Sequence, residues 1–384
     1  MAKIKALTGA EASAEAMRQI NPDVCAAFPI TPQTPVMQKF AEFVADGIVK
    51  SEFICVESEH SAMSACVGSS AAGARTMTAT SSAGLALMWE ILGIASGLRL
   101  PIVMTIVNRA LSAPINIHCD HSDSMGARDQ GWVQIYSENA QESYENTLLA
   151  VRLAEKVLLP VMVCQDGFIT SHGVENVAVY DDNKVKSFVG ELKPYKPLLN
   201  VDDPVTYGPL QLTDYYFETK RQQEPAMEEA KKAYQAIGKE LKKITGNDYG
   251  YFEEYQLKDA KAAIVVLNST AGTTKAVIDK LRQKGKKVGL LKIKLFRPFP
   301  YEEVGRALKN ISSIAVLDRS ESFGANAPVF GEIKNALYDA KSKAKLHSCI
   351  FGLGGRNIYE KDIEDLFSKL LTNKLKGKEY IGVR

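Results

Sequence analysis

The chain reads as an α/β protein of two doubly wound domains, and three observations say so. Strand-length apolar runs alternate with helical stretches of small residues through the first half. A charge-rich stretch at 217–260 then breaks the rhythm, and beyond it the alternation resumes in a shorter unit. The length of 384 residues accommodates two domains of roughly 100–200 residues each. With the boundary in the charged linker, they span 1–245, closing on a linking helix, and 258–384.

In chain order, a helix is expected at 10–20, then a strand at 24–28 that opens into the turn PITPQTP. A strand at 53–56 precedes a helix at 59–74, and a strand at 76–80 precedes a helix at 85–97. Strands at 102–107 and 161–164 follow, with a helix at 144–156 ahead of the second. Strand-to-helix alternation of this kind builds a parallel sheet covered by helices, whose binding sites lie at the carboxyl ends of the strands. The linking helix falls at 225–244. After it, strands at 262–267, 287–294, 314–317 and 347–352 alternate with helices at 273–284, 301–308 and 329–340.

Composition narrows the function. Forty-seven basic against forty-five acidic residues leave a net charge of +2, which gives no strong field to recruit nucleic acid or an anionic membrane. The longest apolar runs, near 100–107 and 157–164, are far shorter than the roughly 20 residues of a membrane helix. Glu11 and Glu15 stand where a signal peptide needs its apolar segment, so the expected location is cytoplasmic. Six cysteines occur without one C-x-x-C, which points to buried free thiols rather than to zinc or an iron-sulfur cluster. The G-x-G-x-x-G fingerprint, the P-loop and the G-x-S-x-G elbow are all absent, which weighs against dinucleotide, nucleotide and hydrolase readings. The nearest approach, Gly352-Leu-Gly354-Gly355, is read as a tight turn.

Polar residues cluster after the strand at 102–107: Asn108, Arg109, Asn116, His118, Asp120, His121, Asp123 and Arg128. The trio His118, His121 and Asp123 matches no helical ligand spacing, so hydrogen bonding and capping are the expected roles and no metal site is assigned. Arg109, just past a parallel strand, is placed either to grip a carboxylate ligand or to pair with a nearby aspartate. Glu57 and Glu59 precede a helix of small residues, where a carboxylate is an ordinary dipole or capping partner. Thr31 sits between two prolines that fix the backbone around its hydroxyl.

The segments AAFPITPQTP (26–35), VESEHSAMSA (56–65), TATSSAGLALM (78–88), RLPIVMTIVNRALSAPINIHCDHSD (99–123) and DGFITSH (166–172) continue into KLFRPFP (294–300), VLDRSESFGA (316–325) and GLGGRNI (352–358). Together they resemble the alpha subunit of the 2-oxoacid:ferredoxin oxidoreductases, most closely the pyruvate:ferredoxin type, over essentially the full chain. The resemblance implies a thiamine diphosphate (TPP) pyrimidine-binding domain followed by a transketolase C-terminal-like domain. It implies that Glu59 hydrogen-bonds the aminopyrimidine N1′ and so promotes loss of the C2 proton, with Pro29 of the PITP turn also against the cofactor. The C2 carbon then attacks the ketone of a 2-oxoacid and carbon dioxide leaves. Thr31 and Arg109 match the residues that hold the substrate carboxylate and keto oxygen, and Ile117 the one that packs on the substrate tail.

The diphosphate end of such a cofactor is held through Mg²⁺ by a Gly-Asp-Gly, and this chain has none; Gln165-Asp166-Gly167 is the nearest. The family resemblance therefore implies partner subunits of beta, gamma and delta type that supply Mg²⁺ and iron-sulfur clusters, with coenzyme A and ferredoxin as reactants. Small departures are Asn357 in place of an aspartate and Phe28 in place of a tyrosine. The threonine of PITP favours pyruvate; a branched-chain 2-oxoacid such as 2-oxoisovalerate is the alternative substrate. A non-catalytic scaffold and a dinucleotide dehydrogenase are the readings from other classes.

Overall fold

The computed structural model describes residues 2–384. Its strands are β1 (Lys3–Thr8), β2 (Val24–Ala27), β3 (Glu52–Cys55), β4 (Thr76–Thr80), β5 (Val103–Asn108), β6 (Val133–Ser137), β7 (Val161–Asp166), β8 (Val174–Val179), β9 (Phe252–Tyr255), β10 (Ala262–Val266), β11 (Val288–Ile293), β12 (Leu295–Arg297), β13 (Ser313–Asp318), β14 (Lys345–Phe351) and β15 (Lys378–Ile381). The expected α/β class is what these form: a seven-stranded sheet in the order β12-β6-β7-β5-β4-β2-β3 and a six-stranded sheet in the order β15-β14-β13-β10-β11-β9. Both are parallel apart from the edge strands β12 and β9.

Local chemistry sets the elements. Thr8 and Glu11 form a reciprocal capping box that starts the helix Gly9–Ile20, whose buried alanines let it lie close against the helix Ala140–Val157. Ser58 caps the helix Glu59–Ala72 by accepting from the Ser61 amide at 3.2 Å, and Gly73 ends it in a left-handed conformation. The single helix expected at 85–97 is two, Ser82–Leu87 and Trp89–Gly97, meeting at Met88.

The first sheet reverses direction at β2: the chain passes from β2 to its neighbour β3 and returns to β4 on the other side. The second reverses likewise at β10, between β11 and β13. Ligand crevices open at the carboxyl ends of strands at such reversals. The two sheets share a core. Strand β12 leaves the second unit to pair with β6 of the first, and Phe296 meets Tyr136 edge-on at 5.9 Å between ring centres. Buried Lys292 on β11 adds an ionic tie, lying 2.9 Å from Glu142 and 2.7 Å from Glu253 and also contacting Glu138.

Strands β1, β6, β8, β9, β12 and β15 have no counterpart among the sequence expectations. Of these, β9, β12 and β15 are short or polar edge strands, as in KEYI and FEEY, β1 and β8 pair only with each other, and β6 lies inside the sheet between β12 and β7. Among the described residues no helix is long and apolar enough to cross a membrane. Five of the six cysteines are buried free thiols, as expected, while Cys55 is exposed on the edge strand β3.

Candidate active site

Thr31, Glu59 and Arg109 all sit at the carboxyl edge of the seven-stranded sheet, following β2, β3 and β5. Two of them touch. The Arg109 guanidinium donates from Nη1 to the Thr31 carbonyl at 2.8 Å and from Nε to the Asn116 carbonyl at 3.0 Å. Arg109 is only 8 % exposed, yet among the described residues no carboxylate lies within ion-pair reach of it. The pairing with a nearby aspartate that the sequence left open is therefore not made. Asp123 instead accepts from the Arg109 backbone amide at 2.9 Å, from Asn108 Nδ2 at 2.8 Å and from the Ser82 amide at 3.0 Å, which clamps the turns after β4 and β5 together. Burial pushes its carboxyl up to about 6 despite those hydrogen bonds.

Thr31 is exposed, as is Pro29, at the open face of the turn. The turn is buttressed from behind: a side chain at Gly167 would come within 2.4 Å of the Asn108 carbonyl oxygen and 2.9 Å of the Pro32 ring, so only glycine lets β7 end this close to it. Ile117 lies in the loop after Arg109, 43 % exposed.

Glu59 is the first residue of its helix and is buried, but it does not cap it, since Ser58 does. Among the described residues its carboxylate accepts no hydrogen bond. Thr80 Oγ1, also buried and without a partner, lies beside it: a Cβ at Gly84 would sit 2.4 Å from Thr80 Oγ1 and 2.6 Å from Glu59 Oε1. A ligand N–H aimed at this largely buried side chain would give its carboxylate the donor it lacks within the chain. A protonated aminopyrimidine ring nitrogen offers such an N–H, so the residues present fit the pyrimidine end of TPP.

His118, His121 and Asp123 do not form a cluster. His118 is exposed, Asp123 serves the turns described above, and His121 Nε2 is 2.7 Å from Asp166 Oδ1. Sequence reasoning met Asp166 only as the nearest approach to a Gly-Asp-Gly and gave it no role, and it proves to be the hub between the two sheets. It ends β7, and its buried carboxylate meets Asn268 Nδ2 at 2.9 Å, the Ser269 amide at 3.3 Å and Arg319 Nη1 at 3.3 Å, with the Ser269 hydroxyl against it as well. Burial alone would raise its pKa; the Arg319 and His121 charges hold it far below the usual carboxylate range. Cys119, His121 and Asp166 are close enough to share a cation, but Arg319 already neutralises the only carboxylate among them. The available signal was positional: Asp166 ends a strand and Asn268 and Arg319 each follow one, with Asp166 and Arg319 in segments quoted for the resemblance.

Comparison with known proteins bears on this geometry. Residues 15–239 match the thiamine diphosphate-binding domain of pyruvate flavodoxin/ferredoxin oxidoreductase, and residues 260–363 match core domain II of pyruvate:ferredoxin oxidoreductase. The chain is 57 % identical to the pyruvate synthase subunit PorA of Thermotoga maritima over 383 residues, covering 99 % of this chain and 98 % of the relative. It is 50 % identical to the subunit of that name from Methanocaldococcus jannaschii, covering 100 % and 99 % of the two chains. The ketoisovalerate oxidoreductase subunit VorA of Pyrococcus horikoshii is 43 % identical, with 97 % and 95 % covered. Among solved structures, a 2-oxoglutarate:ferredoxin oxidoreductase from Magnetococcus marinus superposes with a TM-score of 0.75 at 18 % identity, covering 96 % of this chain and 65 % of that one. A split-gene transketolase superposes with a TM-score of 0.57 at 10 % identity, covering 97 % of this chain and 100 % of that one, and at that distance both likenesses concern the fold. Two consecutive family domains and full-length relatives at this identity place the chain in the pyruvate:ferredoxin oxidoreductase family.

Proposed function

We propose that this chain is the pyrimidine-binding, substrate-gripping subunit of a TPP-dependent pyruvate:ferredoxin oxidoreductase, which converts pyruvate and coenzyme A reversibly to acetyl-CoA, carbon dioxide and reduced ferredoxin. One observation carries the residue roles: Arg109 is buried and without a carboxylate, and its guanidinium holds the carbonyl of an exposed threonine. Two of its donors are fixed on carbonyls, which orients the guanidinium plane and leaves the Nη2 pair free. Those donors take the substrate carboxylate, and the Thr31 hydroxyl donates to its keto oxygen. Ile117 meets the methyl end.

Bound TPP would supply a nucleophilic carbon and, in its thiazolium ring, a sink for the electron pair released on decarboxylation. Glu59 holds the proton shared with the pyrimidine ring nitrogen, and Pro29 packs beside that ring. Once a partner covers the exposed site, the loss of water strengthens each of these charged contacts.

The cofactor's diphosphate end, with Mg²⁺, falls to a beta-type partner, since no Gly-Asp-Gly occurs in this chain. The surface near Glu59 suits docking. Edge strand β3 is unpaired on one side and exposes Ile54, while Leu87, Trp89 and Ile94 are exposed on the neighbouring helices. Gamma- and delta-type partners carry the iron-sulfur clusters and pass electrons to ferredoxin. We assign residues 1–245 and 258–384 as the two domains and the cytoplasm as the compartment.

The test is viologen reduction by the complex purified on this chain, with TPP and coenzyme A and either pyruvate or 2-oxoisovalerate. Preference for pyruvate is expected. Preference for the branched acid reassigns the substrate and leaves the three residues in their roles; no turnover with either favours a scaffold.

A further inference from the structure

The turn Gly352-Leu-Gly354-Gly355, which the active-site roles above leave unused, lies at the carboxyl end of β14, beside the reversal of the second sheet. In a free-standing domain that crevice receives a ligand. Here it receives a piece of the same chain, the loop 116–121 that follows Arg109. Asn116 Nδ2 donates to the Gly354 carbonyl at 3.0 Å, the Gly354 amide donates to Asp120 Oδ2 at 3.1 Å, and the Gly355 amide donates to the Cys119 carbonyl at 2.6 Å. The contact needs glycine twice over. Gly354 and Gly355 have φ of 58° and 79°, and added Cβ atoms would lie 2.5 Å from Asn116 Nδ2 and 2.4 Å from His118 Cβ. On its other side the same loop presents the Asn116 carbonyl that fixes Arg109 Nε at 3.0 Å, with Ile117 between the two gripped residues.

We propose that Gly354 and Gly355 are specificity-determining positioning residues: the second sheet takes the substrate loop as its own built-in ligand and so sets where the Arg109 guanidinium and the Ile117 side chain stand. This deepens the preceding reading and rests on Arg109 as the carboxylate grip. A methyl group at Gly355 must push His118 outward by about an ångström, and a shift of that size in a positioning residue costs on the order of 10²-fold in rate.

The experiment compares the assembled complex carrying Gly355→Ala with wild type, using pyruvate and its one-carbon-longer analogue 2-oxobutyrate. Gly285→Ala is the strain-matched control, since Gly285 has φ of 71° with nothing within 4 Å of the added methyl. The expected result for Gly355→Ala is a fall of about 10- to 100-fold in kcat/KM for pyruvate, mainly through KM, and a changed pyruvate to 2-oxobutyrate ratio. The KM for TPP and the Gly285→Ala kinetics stay at wild-type values. The part of the effect that passes through Arg109 is lost in an Arg109→Lys background, so the fall in kcat/KM for pyruvate is several-fold smaller there, while the part that passes through Ile117 remains. Unchanged KM and selectivity in Gly355→Ala, or an undiminished effect on top of Arg109→Lys, overturns the proposal. Should Gly355→Ala not assemble, Asn116→Ala removes the tie to Gly354 without adding volume; a raised KM with altered selectivity supports the proposal, and wild-type values overturn it. Arg109→Lys alone separates the two levels. If it leaves the pyruvate KM unchanged, the grip itself is misassigned, whereas a raised KM beside a neutral Gly355→Ala sinks only the inference.

Discussion

Arg109 Nη1 donates to the backbone carbonyl of Thr31 at 2.8 Å, so the residue after β5 and the turn after β2 are locked together across β4. The lock uses the threonine's carbonyl and leaves its hydroxyl without a partner among the described residues. A guanidinium spent on carbonyls keeps its full positive charge for a ligand, which an ion pair would have cancelled.

Arg109→Lys is therefore expected to raise the KM for pyruvate by about 10- to 100-fold, because an ammonium keeps the charge but cannot hold both carbonyls and a carboxylate at once. Steady-state viologen reduction across a pyruvate range checks this. A KM within twofold of wild type would remove Arg109 from the substrate site.

Asp166→Asn tests the hub between the sheets. Removing the charge leaves Arg319 buried without a counter-ion, which costs roughly 3–5 kcal/mol. The folded carboxyl of Asp166 is held below its unfolded value, so its contribution is complete above about pH 4 and is lost as pH falls further. Denaturant unfolding at a series of pH values should show a constant deficit from pH 7 to 5 that narrows below about pH 4. An equal deficit at every pH would mean that the charge is not what stabilises the hub.

Lys292→Met should destabilise the chain by about 1–3 kcal/mol, since it removes the buried cation that Glu138, Glu142 and Glu253 share and leaves Lys275 to pair with the first and third and Lys294 with the second. Although burial opposes ionisation, Lys294 and Lys292 hold the Glu142 carboxyl down to about 2. That contribution is present above the ordinary glutamate range and is lost as pH falls toward about 2, so the variant's stability should depend less steeply on pH in that window. Thermal unfolding measured from pH 7 downward checks both effects; an unaltered slope contradicts the ionic account.

The parallel strands β2, β4, β5, β7, β10, β11, β13 and β14 were legible as apolar runs because each is buried on both faces or nearly so. Of the edge strands only β3 was, at 53–56; KEYI and FEEY carry no such pattern, and pairing of β12 with β6 depends on how the two units meet. Thr31 and Arg109 were found as residues following strands, but their contact spans 78 positions and no local pattern encodes it. Spacing alone drew attention to His118, His121 and Asp123, while the true partner of His121 is Asp166, forty-five residues away. Glu59 looked like a capping residue until Ser58 was seen to cap in its place.

The most direct test of the catalytic assignment is Glu59→Gln in the assembled complex, assayed for pyruvate-dependent viologen reduction with TPP and coenzyme A at saturation. Glutamine keeps the shape of the side chain and removes the proton-holding carboxylate, so turnover should fall by about 10²–10⁴-fold while the complex still assembles. Turnover at the wild-type rate would contradict the account and leave this chain a scaffold for chemistry performed elsewhere.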